Sequence, residues 1–134
     1  MFLLDTNVVS ELVRRTGNVK LTTRLNAESP STLFISSVTV FELRYGAARS
    51  AKPASLWGRI QREIINRFQV LPIDVNDALA AADIMSALTG SGYSGALQDI
   101  WLAGTATNRG MILVTRNVRH FDRILNLRVE NWFD

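Results

Sequence analysis

Short apolar runs, each broken off by small polar residues, constrain this chain more than any other feature of its sequence. Met1-Phe2-Leu3-Leu4 stops at Asp5-Thr6-Asn7, Leu33-Phe34-Ile35 at Ser36-Ser37, and Met111-Ile112-Leu113-Val114 at Thr115-Arg116-Asn117. Runs of this length without polar alternation read as strands buried on both faces. Gln69–Ile73 reads as a further strand, and Leu127-Arg128-Val129 as a weak last one. The stretches between them carry helical periodicity. Short buried strands alternating with helices imply a parallel sheet covered on both sides, an α/β sandwich in one domain over residues 1–134.

The expected helices have clear start and stop signals. Val8 to Arg15 presents Val8, Val9, Leu12 and Val13 on one stripe and is stopped by Gly17. Asn18 to Ser29 has Val19, Leu21 and Leu25 as anchors and ends at Pro30. Val38 to about Ser50 is apolar nearly all round its first turns, and Pro53 to Phe68 repeats Leu56, Trp57, Ile60 and Ile64 at helical spacing. Asp74 and Asp77 stand three apart before an alanine-rich helix to Leu88, close to a capping arrangement. Ala96 to Asn108 is the last helix, ended by Gly110, and Val118 to Ile124 forms a short turn. Thr89 to Gly95 is a loop by composition. Gly90-Ser91-Gly92 follows no strand, so it reads as a connection rather than a phosphate-binding loop.

Composition removes whole classes of chemistry. No cysteine is present, which excludes disulfides and zinc–thiolate sites and suits a reducing cytoplasm. A single histidine, His120, excludes His-rich metal sites, and a lone loop histidine is usually structural. The N-terminal apolar run has no basic leader, so it is not expected to act as a signal peptide, and no apolar run approaches the roughly 18 residues of a membrane span. The net charge is +3, and all but Lys20 and Lys52 of the fifteen basic residues are arginine. Arginine's planar fork matches phosphate and carboxylate, so the balance leans toward nucleic acid or an acidic partner. Trp57, Trp101 and Trp132 lack the spacing of a base-stacking platform and are assigned to core or dimer packing.

The twelve acids sort by position. Glu11, Glu28, Glu63, Glu130 and Asp134 read as solvated, and Asp74 and Asp77 as helix-start residues. Asp83 keeps apolar company but lies mid-helix. Asp5 ends a buried strand, Glu42 lies on the stripe of Val38, Phe41 and Tyr45, and Asp99 shares a helix face with Ala96, Ala103 and Ala106. Acids in such places are either paired with a buried arginine, for which Arg44 and Arg49 are candidates, or gathered round a cation. Three converging carboxylates without histidine or cysteine describe a site for Mg²⁺ or Mn²⁺, whose chemistry is attack of water on a phosphodiester. Arg116, Arg119 and Arg123 lie close enough in sequence to hold RNA phosphates there.

With these residues the chain resembles the PIN-domain ribonucleases, in particular the VapC/FitB-like toxins of bacterial type II toxin–antitoxin systems. The likeness runs through Leu4-Asp5-Thr6-Asn7 with Ser10-Glu11, Ser36 to Gly46, Asp99 with Leu102-Ala103 and Ala106, and Val114-Thr115-Arg116-Asn117 with Phe121. It implies a three-layer α/β/α sandwich on a five-stranded parallel sheet, with Asp5, Glu42 and Asp99 as catalytic and metal-binding acids. Thr6 and Thr115 look like hydroxyls that orient those ligands. Many members carry a fourth acid near Asn117, where this chain has an amide; Asp122 stands close by as a substitute. The resemblance also implies Mg²⁺-dependent cleavage of RNA, a homodimer, and inhibition by a cognate antitoxin.

Two other readings stay open on sequence. A non-catalytic interaction module would keep the fold, bind a small DNA-binding partner and lose turnover at Asn117. A phosphoacceptor receiver domain also gathers acids and Mg²⁺ at strand ends, but it needs a lysine after a late strand, and neither Lys20 nor Lys52 is so placed.

Overall fold

The apolar runs pair side by side. In a computed structural model that describes residues 1–93 and 95–134, β1 (Phe2–Leu4), β2 (Leu33–Ser36), β3 (Gln69–Leu71), β4 (Ile112–Val114) and β5 (Val129–Glu130) form one parallel sheet. Their order is β3-β2-β1-β4-β5, with Leu3 opposite both Phe34 and Leu113. This differs from the β2-β1-β3-β4-β5 order of receiver-type folds. Successive strand residues enter opposite layers: Leu4, Leu33, Ile35 and Val114 belong to one core cluster, Leu3, Phe34 and Leu113 to the other. That alternation is why the strands have no polar face.

Helices α1 (Thr6–Ser10), α2 (Val19–Ala27), α3 (Ser37–Ala48) and α4 (Pro53–Ile60) cover the first face, supplying Val8, Val9, Leu21, Leu25, Leu43 and Ile60. Helices α5 (Val75–Leu88) and α6 (Leu97–Arg109) cover the second with Ala81, Leu88, Ile100, Ala103 and Ala106. The result is a three-layer α/β/α sandwich.

Several local expectations are corrected. The helix expected over Val8–Arg15 begins at Thr6 and tightens after Ser10 into a 3₁₀ turn, Glu11–Val13. Glu11, three residues after buried Val8, shares its inward face, so this acid is buried rather than solvated, with Arg14 Nη1 3.6 Å from its Oε2. Val19 is exposed, because Asn18 caps α2 through the Leu21 amide and leaves Val19 on the outward side of the first turn. On α3 the stripe of Phe41 and Tyr45 faces outward, the two rings stacked at 6.2 Å, while Thr39, Leu43 and Ala47 face the core. The helix from Pro53 widens into a π turn over Gln61–Ile65 before it ends. Asp83 is exposed, and of the loop Thr89–Gly95, Ser94 lies outside the described residues. Trp132 is core, edge-on to Phe2 at 4.9 Å, and Trp57 lies beneath the Arg44 guanidinium.

Two contacts fix α5 against α6. At Gly104 an added Cβ would lie 2.6 Å from the Ala81 nitrogen, so the helices touch backbone to backbone. At the other end, fully buried Asp77 caps α5 with Asp74 and also accepts Arg109 Nε at 3.1 Å, Arg109 Nη2 at 2.8 Å and Asn108 Nδ2 at 2.9 Å. Burial alone would raise the Asp77 pKa. The Arg109, Asp74 amide and Asn108 hydrogen bonds and the Arg109 charge outweigh it and hold the group at about 2.

That depressed value makes the Asp77 charge worth on the order of 2 kcal/mol above about pH 4, a contribution lost as pH falls through about 2. Arg109→Met strands the carboxylate and should cost about 3 kcal/mol in urea unfolding at neutral pH. The deficit should narrow in acid, where protonation of Asp77 relieves the variant while the wild type weakens. Gly104→Ala should lower the thermal midpoint, although alanine is the better helix former by about 1 kcal/mol.

Candidate active site

The chain leaves β1 for β2 and β3 on one side and returns to β4 on the other, so a crevice opens beyond the carboxyl ends of β1 and β4. Asp5 follows directly on β1 at this edge. The Asp5 amide bonds the Val114 carbonyl at 2.9 Å, which brings Thr115 alongside. The Asp5 carboxylate is 5% exposed and accepts the Thr6 amide at 2.7 Å, Thr115 Oγ1 at 2.8 Å and Asn7 Nδ2 at 3.1 Å. Asp5 also caps α1, but with only one of its two oxygens; Oδ2 turns to Thr115 and Asn7.

The other two acids arrive on helices. Ser36 caps α3 immediately after β2, and Glu42 follows in the second turn, where its Oε1 accepts Thr6 Oγ1 at 2.8 Å. Thr6 also touches Thr39 Oγ1 at 3.0 Å, so one threonine joins Asp5 to Glu42 and to α3. Helix α6 runs toward the start of β4, which brings its N-terminus and Asp99 to the carboxyl edge of the sheet. There Asp99 Oδ2 lies 3.0 Å from His120 Nδ1.

The acids sense one another. Burial raises the Asp5 pKa, the Thr115 and Thr6 bonds oppose it, the Asp99 charge raises it further and His120 lowers it. Burial likewise raises Glu42, against the Thr6 hydrogen bond, with the charges of Asp5 and Asp99 adding to the rise. Among the described residues no guanidinium pairs with these acids. Arg44 covers Trp57, Arg49 bonds the Tyr45 hydroxyl, and among the described residues the ion-paired arginines meet other acids.

Of the residues expected near these acids, Thr6 and Thr115 bond them directly. Asn117 reaches the site only through its backbone amide, 3.1 Å from Thr115 Oγ1, with its side chain exposed. The Arg116 amide bonds Asn7 Oδ1, but its guanidinium lies over the Phe133 ring at 4.4 Å, turned to packing. Asp122 is exposed and lines a neighbouring cavity. The group that meets Asp99 instead is His120, read from sequence as merely structural. Asn7 and Thr39 were also missed; the turn Asp5-Thr6-Asn7 was the available signal for the first, and nothing local marked the second.

Among the described residues no three acid or imidazole groups form a ready-made cation cage. The donor set nevertheless suits a hard cation: oxygen ligands from three acids, mutual repulsion that raises two of them, and only one imidazole nearby.

The model of the PIN domain family matches residues 2–126. The chain is 33% identical over 131 residues to Ribonuclease VapC2 of Haemophilus influenzae, covering 98% of this chain and 97% of that protein. It is 33% identical over 132 residues to the tRNA(fMet)-specific endonuclease VapC of Salmonella typhimurium, with the same coverage. A crystal structure of DNA-bound VapBC from Salmonella typhimurium superposes with a TM-score of 0.84 at 33% identity, covering 98% of this chain and 97% of that one.

Because its carboxylate is held against two others, Glu42→Gln should raise the thermal midpoint in EDTA by a few degrees. Added Mg²⁺ should then raise the wild type more than the variant. A variant less stable than wild type in EDTA would show that the repulsion is not felt.

Proposed function

We propose that this chain, which belongs to the PIN-domain family, is a metal-dependent endoribonuclease acting as the toxin of a type II toxin–antitoxin module. The observation that carries the reading is that Asp5, Glu42 and Asp99 lie near enough to feel one another's charge at the carboxyl edge of the sheet, with no guanidinium paired to them among the described residues. These three would hold Mg²⁺, with Mn²⁺ as a substitute. The cation supplies an acidified water and neutralises charge that develops on the phosphodiester.

The chain's own residues then act by positioning. Thr115 and Thr6 fix the two oxygens of Asp5, Thr6 also fixes Glu42, and His120 Nδ1 orients Asp99. Relatives named for RNA cleavage support RNA as substrate. The proposed antitoxin has a natural seat in the groove of about 570 Å³ lined by Val38, Phe41, Leu97 and Trp101, between the helices that carry Glu42 and Asp99. A cytoplasmic homodimer is the expected form. No described helix is long and apolar enough to cross a membrane.

Purified protein free of inhibitor should cleave RNA with Mg²⁺ or Mn²⁺ and stop in EDTA. Asp5→Asn and Asp99→Asn should each lower the rate by about 10²–10³-fold. No cleavage with either metal, together with undiminished toxicity of Asp5→Asn, would replace the nuclease with a non-catalytic interaction module.

A further inference from the structure

A cavity of about 310 Å³ opens beside Asp99, between Tyr93 and the turn that carries Arg119, His120, Asp122 and Arg123. It shares His120 with the carboxylate site, since His120 both lines the cavity and meets Asp99 Oδ2 at 3.0 Å. Its size is at the lower end of ligand sites, roughly 300–1,000 Å³.

Its lining is rich in unspent donors. The Tyr93 hydroxyl is buried against Gly95, which also lines the cavity, and has no hydrogen-bond partner among the described residues. Burial and the nearby Asp99 charge push its pKa up, so it stays a protonated donor. Arg119 is exposed and, among the described residues, makes no ion pair. Arg123 Nη1 bonds the Ser91 carbonyl at 2.6 Å, which ties the loop wall to the turn and leaves the rest of its fork to the cavity. Asp122 is the one carboxylate in the lining. Two guanidiniums, an imidazole and a phenol against one acid suit an anion with several acceptor oxygens.

We propose that this cavity is a subsite for an RNA phosphate flanking the bond to be cut, with Arg119 as its main charge anchor and the Tyr93 hydroxyl as a neutral donor. The assignment rests on the ribonuclease reading of the adjoining acids. A strand lying across Asp5 and Asp99 has its neighbouring phosphate one nucleotide away, and this cavity is the donor-rich space that abuts Asp99. An acidic protein segment would satisfy the same donors, but nothing ties such a segment to the reacting carboxylates.

The test is binding of a fluorescent 2′-O-methyl oligoribonucleotide to the full chain in EDTA, followed by anisotropy over a salt series. Arg119→Ala should weaken binding about tenfold and make the slope of log affinity against log salt shallower by about 0.7, the value of one single-strand phosphate. Its thermal midpoint should not move. Tyr93→Phe should weaken binding a few-fold with no change of slope, since it removes a donor and no charge. An Arg119→Ala slope equal to wild type overturns the subsite, and if wild type still cleaves RNA, the nuclease reading survives. Wild type that binds with the expected slope difference but never cleaves sinks the nuclease reading and leaves the phosphate site standing.

Discussion

The structure is organised around a carboxylate that the fold buries with, among the described residues, no cationic hydrogen-bond partner. Asp5 ends a strand that is covered on both faces, and its three hydrogen-bond donors are an amide, a hydroxyl and a carboxamide, all neutral. Such donors orient a buried charge but do not neutralise it. Glu42 and Asp99 bring more negative charge to the same crevice. Six of the thirteen arginines are engaged elsewhere or on the rim: over Trp57, Trp132 and Phe133, on Asp77, or at the neighbouring cavity. Among the described residues none of these arginines pairs with Asp5, Glu42 or Asp99.

The contrast with Asp77 makes the point quantitative. Both acids are almost wholly buried and both stand at a helix start. Asp77 meets a forked guanidinium and sits at a pKa of about 2, whereas Asp5 meets neutral donors and is raised. One arrangement contributes to stability, and the other draws on it. Strained placement of charge of this kind is what functional sites commonly show.

Much of this was legible in the chain. The strands declared themselves because a sheet covered on both sides needs apolar residues at every position, as Leu3 and Leu4 show by entering different layers. Asp5, Glu42 and Asp99 stood out because acids at strand ends and on apolar stripes lack a surface explanation. Glu42 was picked out by an apolar stripe whose Phe41 and Tyr45 prove to be exposed, so the signal was right about its neighbours and wrong about their destination. What stayed hidden depended on distance in sequence. His120 reaches back 21 residues to Asp99, Arg109 reaches 32 to Asp77, and Thr39 meets Thr6 across 33. No periodicity records such meetings. Glu11 was misjudged for a more local reason: it lies three residues after Val8 and shares that residue's buried side.

The close approach at Gly104 has a bearing on the crevice that its distance conceals. Five residues of helix, roughly 7.5 Å of axial rise, separate it from Asp99. Helix α6 is pinned to α5 there and again at Arg109, so it behaves as a stiff ruler with two fixed marks and one working tip. Any side chain forced in at the first mark tilts the ruler, and the tip carries Asp99, one of the three acids of the proposed site. Tolerance to change along α6 is therefore set by mechanical alignment as well as by chemistry, and a silent-looking glycine acts as the setscrew for the edge where Asp99 meets His120.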